Sequence, residues 1–302
     1  MSPLSIGSIE LPNRLFVAPM AGVTDRPFRV LCKKLGAGYA VSEMVTSRRD
    51  LWDSLKTSRR ADHAGEPAPI AVQIAGTEPI MMAEAAAYNI DRGAQIIDIN
   101  MGCPAKKVCN VWAGSALMRD APLALRIVEA VVTACTPRGD RVVLGLAAVK
   151  AAVGVPVVAN GDIDSPAKAR EVLRATGCDA VMVGRAAQGR PWIFREIAHF
   201  LATGAQPPAP RTLEAKAWLL EHLRDHYGLY GEFTGVRSAR KHIGWAVRAL
   251  PGGERFRARM NTLESAEAQF AALADFFDAL AVEHERLPDG GAPEDLSLRE
   301  AA

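Results

Sequence analysis

The sequence predicts an α/β protein, a (β/α)8 TIM-type barrel short of one to two βα units, followed by a C-terminal helical domain. Three observations predict it. Short apolar runs alternate with amphipathic helical stretches through the first two-thirds of the chain. Polar residues and glycines collect just after those runs, at one end of the implied parallel sheet, where such folds bind ligands. Beyond a proline-rich hinge, Thr203 to Pro210, the pattern is purely helical.

In order, Leu15–Ala18 reads as a strand that runs into Pro19-Met20-Ala21-Gly22, and Arg26–Leu35 as a helix stopped by Gly36. Tyr39–Val45 and Ile70–Ile74 follow as strands, the latter ending in Gln73-Ile74-Ala75-Gly76. Pro79–Arg92 is a helix opened by Thr77 and closed by Gly93. Ile96–Asn100 is a strand, and Ala113–Cys135 is helical with a division at Asp120-Ala121-Pro122. Leu146–Val153 reads as a helix and Val155–Asn160 as a strand leading into Gly161-Asp162. Ser165–Ala175 is a helix with Pro166 in its first turn, and Ala180–Val183 is a strand ending in Gly184-Arg185. Gly189-Arg190-Pro191 opens a helix to about Leu201, and four more follow over Thr212–Leu229, Val236–Leu250, Glu254–Asn261 and Ser265–Glu285. The expected domains are 1–204 for the barrel, 205–286 for the helical part and 287–302 for a flexible acidic tail.

Composition narrows the class. Of 302 residues 49% are hydrophobic and 23% charged, as in ordinary globular proteins. No run of 18 apolar residues occurs and no basic-then-apolar leader opens the chain, so neither a membrane span nor a signal peptide is expected. The five cysteines (Cys32, Cys103, Cys109, Cys135, Cys178) form no C-x-x-C pair. Neither a disulfide framework nor a metal site is indicated, and a reducing cytoplasm is the expected location. The net charge of +2 hides a split: +6 over Gly235–Thr262 and −8 over Leu263–Ala302. Such a split indicates a local surface facing a polyanion, or two solvated helix faces of opposite sign.

Candidate site residues lie at the strand ends and on the basic helix. Cys103, between Gly102 and Pro104, follows the Ile96–Asn100 strand with its thiol aimed out of the sheet; the alternative is a packed thiol. Asn160-Gly161-Asp162 and Gly184-Arg185 occupy the places after strands 7 and 8, where glycine-freed N–H groups and an arginine suit a phosphate. At 100° per residue Arg237, Arg240, Lys241 and Arg248 share one stripe about 100° wide, with Trp245 at its margin and Val236, Ile243, Val247 and Leu250 beside it. A basic stripe with an adjacent aromatic suits a nucleic-acid backbone and a stacked base.

These motifs resemble the tRNA-dihydrouridine synthases, and the match is close to their bacterial B subgroup. The resemblance rests on Ala18 through Arg29 (APMAGVTDRPFR), Val72 through Gly76 (VQIAG), Asn100 through Val108 (NMGCPAKKV), Val158 through Ile163 (VANGDI), Gly184 through Trp192 (GRAAQGRPW) and Ala239-Arg240-Lys241-His242. It covers about residues 4 to 285. The resemblance implies a flavin-binding barrel and a helical domain that helps hold tRNA. It further implies reduction of the C5=C6 bond of particular uridines by FMN, recharged by NADPH. Pro19, Met20 and Ala21 would line the flavin ring, and Gln73 would bond its pyrimidine edge. Asn160, Gly161, Asp162, Gly184 and Arg185 would hold the ribityl chain and phosphate. Asn100 would position the uracil. Cys103 would be the general acid that delivers a proton to C5, as a thiol with pKa near about 8.5 can at neutral pH. Arg237, Arg240, Lys241 and Trp245 would contact tRNA, and a monomer is expected.

The chain departs from that pattern in one region. Fifty-nine residues from Ile96 to Val155 stand where three βα units belong, and only eight separate Leu146 from Val155. Six strands are secure, and Arg141–Leu146 is a candidate fifth strand. An internal deletion between about residues 136 and 146 accounts for the shortage. The family's lysine on the fifth strand and histidine after the sixth have no counterpart; Lys150 falls on a helix, and Lys106 and Lys107 in the loop after Cys103. The alternative expectation is therefore a tRNA-binding remnant with impaired or absent catalysis.

Overall fold

The computed structural model describes residues 4–102, 114–136, 141–143 and 155–288. The chain divides into two compact units, Met1–Ala187 with Trp192–Ala205, and Gln188–Pro191 with Gln206–Ala302.

The first unit opens with an antiparallel hairpin, β1 (Leu4–Ile6) and β2 (Ile9–Leu11), whose three-residue strands are too short to announce themselves by alternation. The remaining strands are β3 (Leu15–Val17), β4 (Tyr39–Ala40), β5 (Val45–Thr46), β6 (Ala71–Ala75), β7 (Ile96–Ile99), β8 (Arg141–Val143), β9 (Val158–Asn160) and β10 (Ala180–Val183). They pair in parallel in the orders β4-β3-β10-β9 and β5-β6-β7-β8, and a parallel bridge from Val41 to Ala71 links the two sets. Among the described residues no ladder joins β8 to β9. The candidate fifth strand is real over Arg141–Val143, where it pairs with β7. The helix expected over Leu146–Val153 lies outside the described residues.

The strand expected over Tyr39–Val45 is in fact two, β4 and β5. Between them Ser42 and Glu43, both buried, turn their side chains to neighbouring backbone: Gln73 N–H donates to Ser42 Oγ at 3.0 Å and Gly22 N–H to Glu43 Oε2 at 2.6 Å. Local side-chain bonds of this kind interrupt the regular ladder.

Strand alternation sorts residues to two faces. Phe16, Tyr39, Val41, Ala71, Ile96 and Ala180 pack together with Leu4, Ile6 and Leu11 of the hairpin. On the opposite face Val72, Ile74, Ile97 and Ile99 meet the helices, including α3 (Pro79–Ile90) through Met82, Ala85 and Ala86 and α4 (Ala121–Cys135) through Ile127 and Val131. The first face is apolar at its start and turns polar toward the strand C-termini, where Gln73, Asp98 and Asn100 follow two and four residues after Ala71 and Ile96.

Caps set the helix starts. Asp25 caps α1 (Arg26–Lys34), Ser54 caps α2 (Leu55–Ala61), Asp120 caps α4 and Ser165 caps α5 (Pro166–Thr176), each accepting an N–H three residues on. Thr77 does not cap α3: the N-cap is Glu78, with no side-chain bond, and Pro79 in the first turn supplies the start. The expected division of the Ala113–Cys135 helix is observed as a 3₁₀ segment, Gly114–Arg119, before α4. The unit ends with α6 (Ile193–Thr203).

The second unit is helical. Its two expected helices over Thr212–Leu229 and Val236–Leu250 form one run, α7 (Thr212–Val247), broken only at Gly231 (φ 73°, ψ 175°), a backbone shape that glycine adopts without strain. The two halves fold back on each other: the rings of His222 and His226 lie 5.0 and 5.2 Å from that of His242, and His226 Nε2 is 2.7 Å from Ser238 Oγ. Then come α8 (Gly253–Met260) and α9 (Ala266–Glu283), the latter capped by Ser265. The first residue of the expected tail, 287–302, is packed. Leu287 is buried and its N–H donates to Pro210 O at 3.0 Å, because an apolar side chain at that point covers the foot of α7. Residues 289–302 lie outside the described residues.

Candidate functional site

Parallel pairing brings the C-termini of β3, β6, β7, β9 and β10 to one end of the first unit, and five expected sites with them. The loop after β3, which carries Pro19, Met20 and Ala21, is held from beneath. Thr24, fully buried, donates its hydroxyl to Ala18 O at 3.0 Å and accepts Met20 N–H at 2.8 Å. Ala18 N–H donates to Val183 O at 2.9 Å, which fixes the loop to β10, and Glu43 holds Gly22. Arg29 donates to Thr24 O at 3.0 Å and to Glu66 Oε2 at 2.6 Å; both side chains are 1% exposed. Lys33 closes the ion cluster on Glu66 at 2.7 Å, and burial lowers its pKa while Glu66 opposes the shift. Such a cluster fixes geometry more surely than it adds stability.

Gln73, 4% exposed, sits opposite Asp98 in the β6–β7 register. Its Nε2 donates to Asp98 Oδ1 at 2.6 Å, and Asn100 Nδ2 donates to its Oε1 at 2.8 Å. Asp98 is partly buried, and desolvation pushes its carboxyl up to about 6, with the Gln73 hydrogen bond pulling the other way. At β9 and β10, Gly161 (φ 152°) and Asp162 (φ 41°) both adopt positive φ, and a Cβ on Gly161 would meet open space. Asp162, an L-residue, is strained there. Its carboxylate pairs with the Arg185 guanidinium, and both are exposed. Asn160 is exposed at the end of β9. A Cβ on Gly184 would sit 3.4 Å from Ala18 Cβ and 3.7 Å from Met20 Sδ, so this glycine keeps the floor between β10 and the β3 loop low. Cys103 lies outside the described residues; the chain carries it three residues beyond Asn100.

The second unit holds a separate basic pocket of about 540 Å³. Arg237, Arg240, Lys241 and Trp245 all line it, and so does Arg248. Two further residues, Arg257 and Asn261 of α8, complete it. Arg257 enters where Gly244 leaves a side chain out of the stripe: a Cβ there would lie 3.3 Å from Arg257 Nε. Arg240 gives one donor to Leu263 O at 3.1 Å, and Arg237 lies over the Phe233 ring at 3.7 Å. The turn at Gly189 (φ 73°) packs so closely on Trp245 that a Cβ would be 2.4 Å from its carbonyl. Val236, Ile243 and Val247 are buried, as the apolar stripe predicts.

Sequence reasoning missed the support. Thr24 lay inside a quoted motif and Glu43 inside an expected strand, neither with a role; Asp98 was hidden in an apolar strand, and Arg257 was counted only as charge. For Asp98 the signal was available: a lone carboxylate two residues from Asn100 on a buried strand.

The class these features define is a parallel α/β protein with a polar cluster at the strand C-termini, a candidate ligand site, and an added helical unit bearing a cationic pocket. The sequence model of the dihydrouridine synthase family matches residues 16–138 and 145–281, and the chain belongs to that family. It is 52% identical over 320 residues to the tRNA-dihydrouridine synthase B of Xanthomonas campestris pv. campestris, covering 92% of this chain and 96% of that protein. The tRNA-dihydrouridine synthase B of Pseudomonas aeruginosa is 50% identical, with 92% and 96% covered. Since 92% of 302 residues is about 278, about 42 of the 320 aligned positions have no counterpart here. The family match itself is interrupted between residues 138 and 145.

Solved structures share the fold at low identity. Histamine dehydrogenase from Rhizobium sp. 4-9 superposes with a TM-score of 0.51 at 12% identity, covering 95% of this chain and 62% of that one. The 6-hydroxypseudooxynicotine amine oxidase of Pseudomonas geniculata N1 gives 0.53 at 13% identity, covering 93% and 66%. No described helix is long and apolar enough to cross a membrane.

Proposed function

We propose that the chain is an FMN-dependent tRNA-dihydrouridine synthase, which reduces the C5=C6 bond of particular uridines with NADPH as the ultimate reductant, acting in the cytoplasm. The observation that carries this reading is the hydrogen-bonded Asn100–Gln73–Asp98 chain at the strand C-termini, beside a loop pinned by Thr24 and Glu43. It supplies fixed donors and acceptors for the edge of a planar ring, on a floor kept low by Gly184.

The residues present fit FMN. Pro19, Met20 and Ala21 would line the ring and Gln73 its pyrimidine edge. Gly161 and Gly184 free backbone for the ribityl chain and phosphate, with Asn160 alongside. Arg185 would face the phosphate, and Asp162 would orient it through their ion pair. Bound flavin supplies hydride chemistry. The protein's own part is to hold the uracil with Asn100 and to present a proton to C5 from the Cys103 thiol, which needs no depressed pKa to do so. The uridine must leave its stack to reach such a site, and the cationic pocket around Trp245 would hold the tRNA backbone meanwhile.

The test is reconstitution with FMN and NADPH and a tRNA reduction assay on wild type and Cys103→Ala. The reading expects turnover in wild type and flavin without turnover in the variant; equal turnover in both contradicts the role of Cys103. A second reading, a tRNA-binding remnant without catalysis, is favoured by the interrupted family match and the missing fifth-strand lysine. It expects salt-dependent tRNA binding with no retained flavin.

A further inference from the structure

We infer that Asp98 is a positioning residue, whose carboxylate locks the Gln73 carboxamide in one of its two orientations and so decides which ring edge the strand-end site accepts. The inference rests on the flavin reading of the same site and extends it to a residue given no role there.

A carboxamide is nearly symmetric in shape but not in chemistry: one end donates twice, the other accepts twice. Which way Gln73 points therefore decides what a ligand meets. Asp98 is its direct register partner on β7, so their contact is built into the sheet and needs no long side chain to search for it. The 2.6 Å bond from Gln73 Nε2 to Asp98 Oδ1 uses an ionised acceptor with no hydrogen to give. Flipping the amide would press Oε1 against that carboxylate. Asn100, on the same face two residues on, sets the same sense by donating to Oε1 at 2.8 Å. Ser42 Oγ, accepting Gln73 N–H at 3.0 Å, anchors the base of the residue.

In that orientation Gln73 offers a second N–H on its Asp98 side and a second lone pair on its Asn100 side. The complement is a carbonyl beside an N–H, as on either side of a cyclic imide, with the carbonyl on the Asp98 side and the N–H on the Asn100 side. Burial strengthens the lock, since Gln73 is 4% and Asn100 8% exposed. Desolvation holds the Asp98 carboxyl up at about 6, which brings its titration into an accessible range. The titratable group reaching it from β4 is Tyr39, whose buried phenol has its pKa raised by desolvation and then by the Asp98 charge. From β6 the facing group is Gln73, and β8 pairs Val143 with it.

The experiment follows the Gln73 side-chain amide by ¹⁵N NMR in the full chain, assigned by its loss in Gln73→Leu, from pH 4.5 to 8. FMN affinity is measured in parallel. The Gln73 Nε2 signal is expected to shift with a midpoint near 6 in wild type and to stay flat in Asp98→Asn. That variant keeps the size and one acceptor but can turn its own donors toward Gln73. Its FMN affinity at pH 8 is expected to fall about tenfold. A Gln73 amide indifferent to pH, or unchanged FMN affinity in Asp98→Asn, overturns the inference. Should Asp98→Asn fail to fold, the wild-type titration alone decides. A wild type that binds no FMN yet shows the titration supports the lock and contradicts the flavin reading instead.

Discussion

The two units hold their polar groups in opposite ways. At the strand ends of the first unit, Gln73, Asn100, Thr24 and Glu43 are buried and directionally bonded, each to a named atom. In the second unit, the pocket around Lys241 and Trp245 gathers long cationic side chains from two helices, of which Arg237 and Arg240 each donate to a backbone carbonyl. Buried, oriented amides recognise a shape and an edge; flexible surface cations recognise charge and leave register to something else. On the proposed reading, the first would hold a rigid ring and the second a polyanion.

The largest effect expected is on chemistry. Cys103→Ala should retain flavin and lose at least about a hundredfold in turnover, checked by single-turnover reduction of tRNA; a smaller loss would move proton delivery elsewhere. Next, Arg29→Met leaves Glu66 buried with only Lys33 to oppose it. Urea unfolding of the first unit should show a loss of about 3–5 kcal/mol, while the second unit's transition stays in place. Thr24→Val removes the hydroxyl between Ala18 O and Met20 N–H. It should lose about 1–3 kcal/mol, with FMN affinity falling alongside.

Asp98 sharpens the contrast through pH. Its carboxyl is raised from 3.8 to about 6, so the folded chain holds that proton more tightly than the unfolded one. The stability this gives is complete below about pH 4 and is lost as pH rises through 6. Asp98→Asn does not titrate, so its stability relative to wild type should rise by about 1–3 kcal/mol between pH 4 and 7, read from denaturation midpoints at each pH. The smallest effect belongs to the second unit. Arg257→Ala should weaken tRNA binding a few-fold and flatten the salt slope by about 0.7–0.9, with FMN affinity unchanged; a changed FMN affinity would break the separation of roles.

Most of this was legible in the chain, for physical reasons. Short apolar runs followed by glycines marked the parallel strands, and their C-terminal residues marked the candidate site, because strand direction alone puts Gln73, Asn100, Asn160 and Gly184 at one end. The basic stripe was legible because helical spacing is local. What was hidden depends on contacts distant in sequence. Glu43 reaches back 21 residues to Gly22, Arg29 pairs with Glu66, and Arg257 enters a gap left by Gly244 on another helix. The split of Tyr39–Val45 was hidden for the same reason, since the Ser42 side chain is held by Gln73 N–H, a contact distant in sequence. Gly231 falls in the gap between two expected helices, and only the edge-to-face histidines show that the chain reverses there.

The central claim is that the strand-end cluster holds FMN in a chain lacking about 42 positions present in its relatives. The visible absorbance spectrum of the purified, monodisperse protein, with FMN supplied during refolding, tests it directly. A protein-bound flavin band that survives gel filtration at a stoichiometry near one is the predicted result. A folded protein that elutes colourless, with its tRNA affinity intact, would contradict the claim and leave the second unit as the functional remainder of the chain.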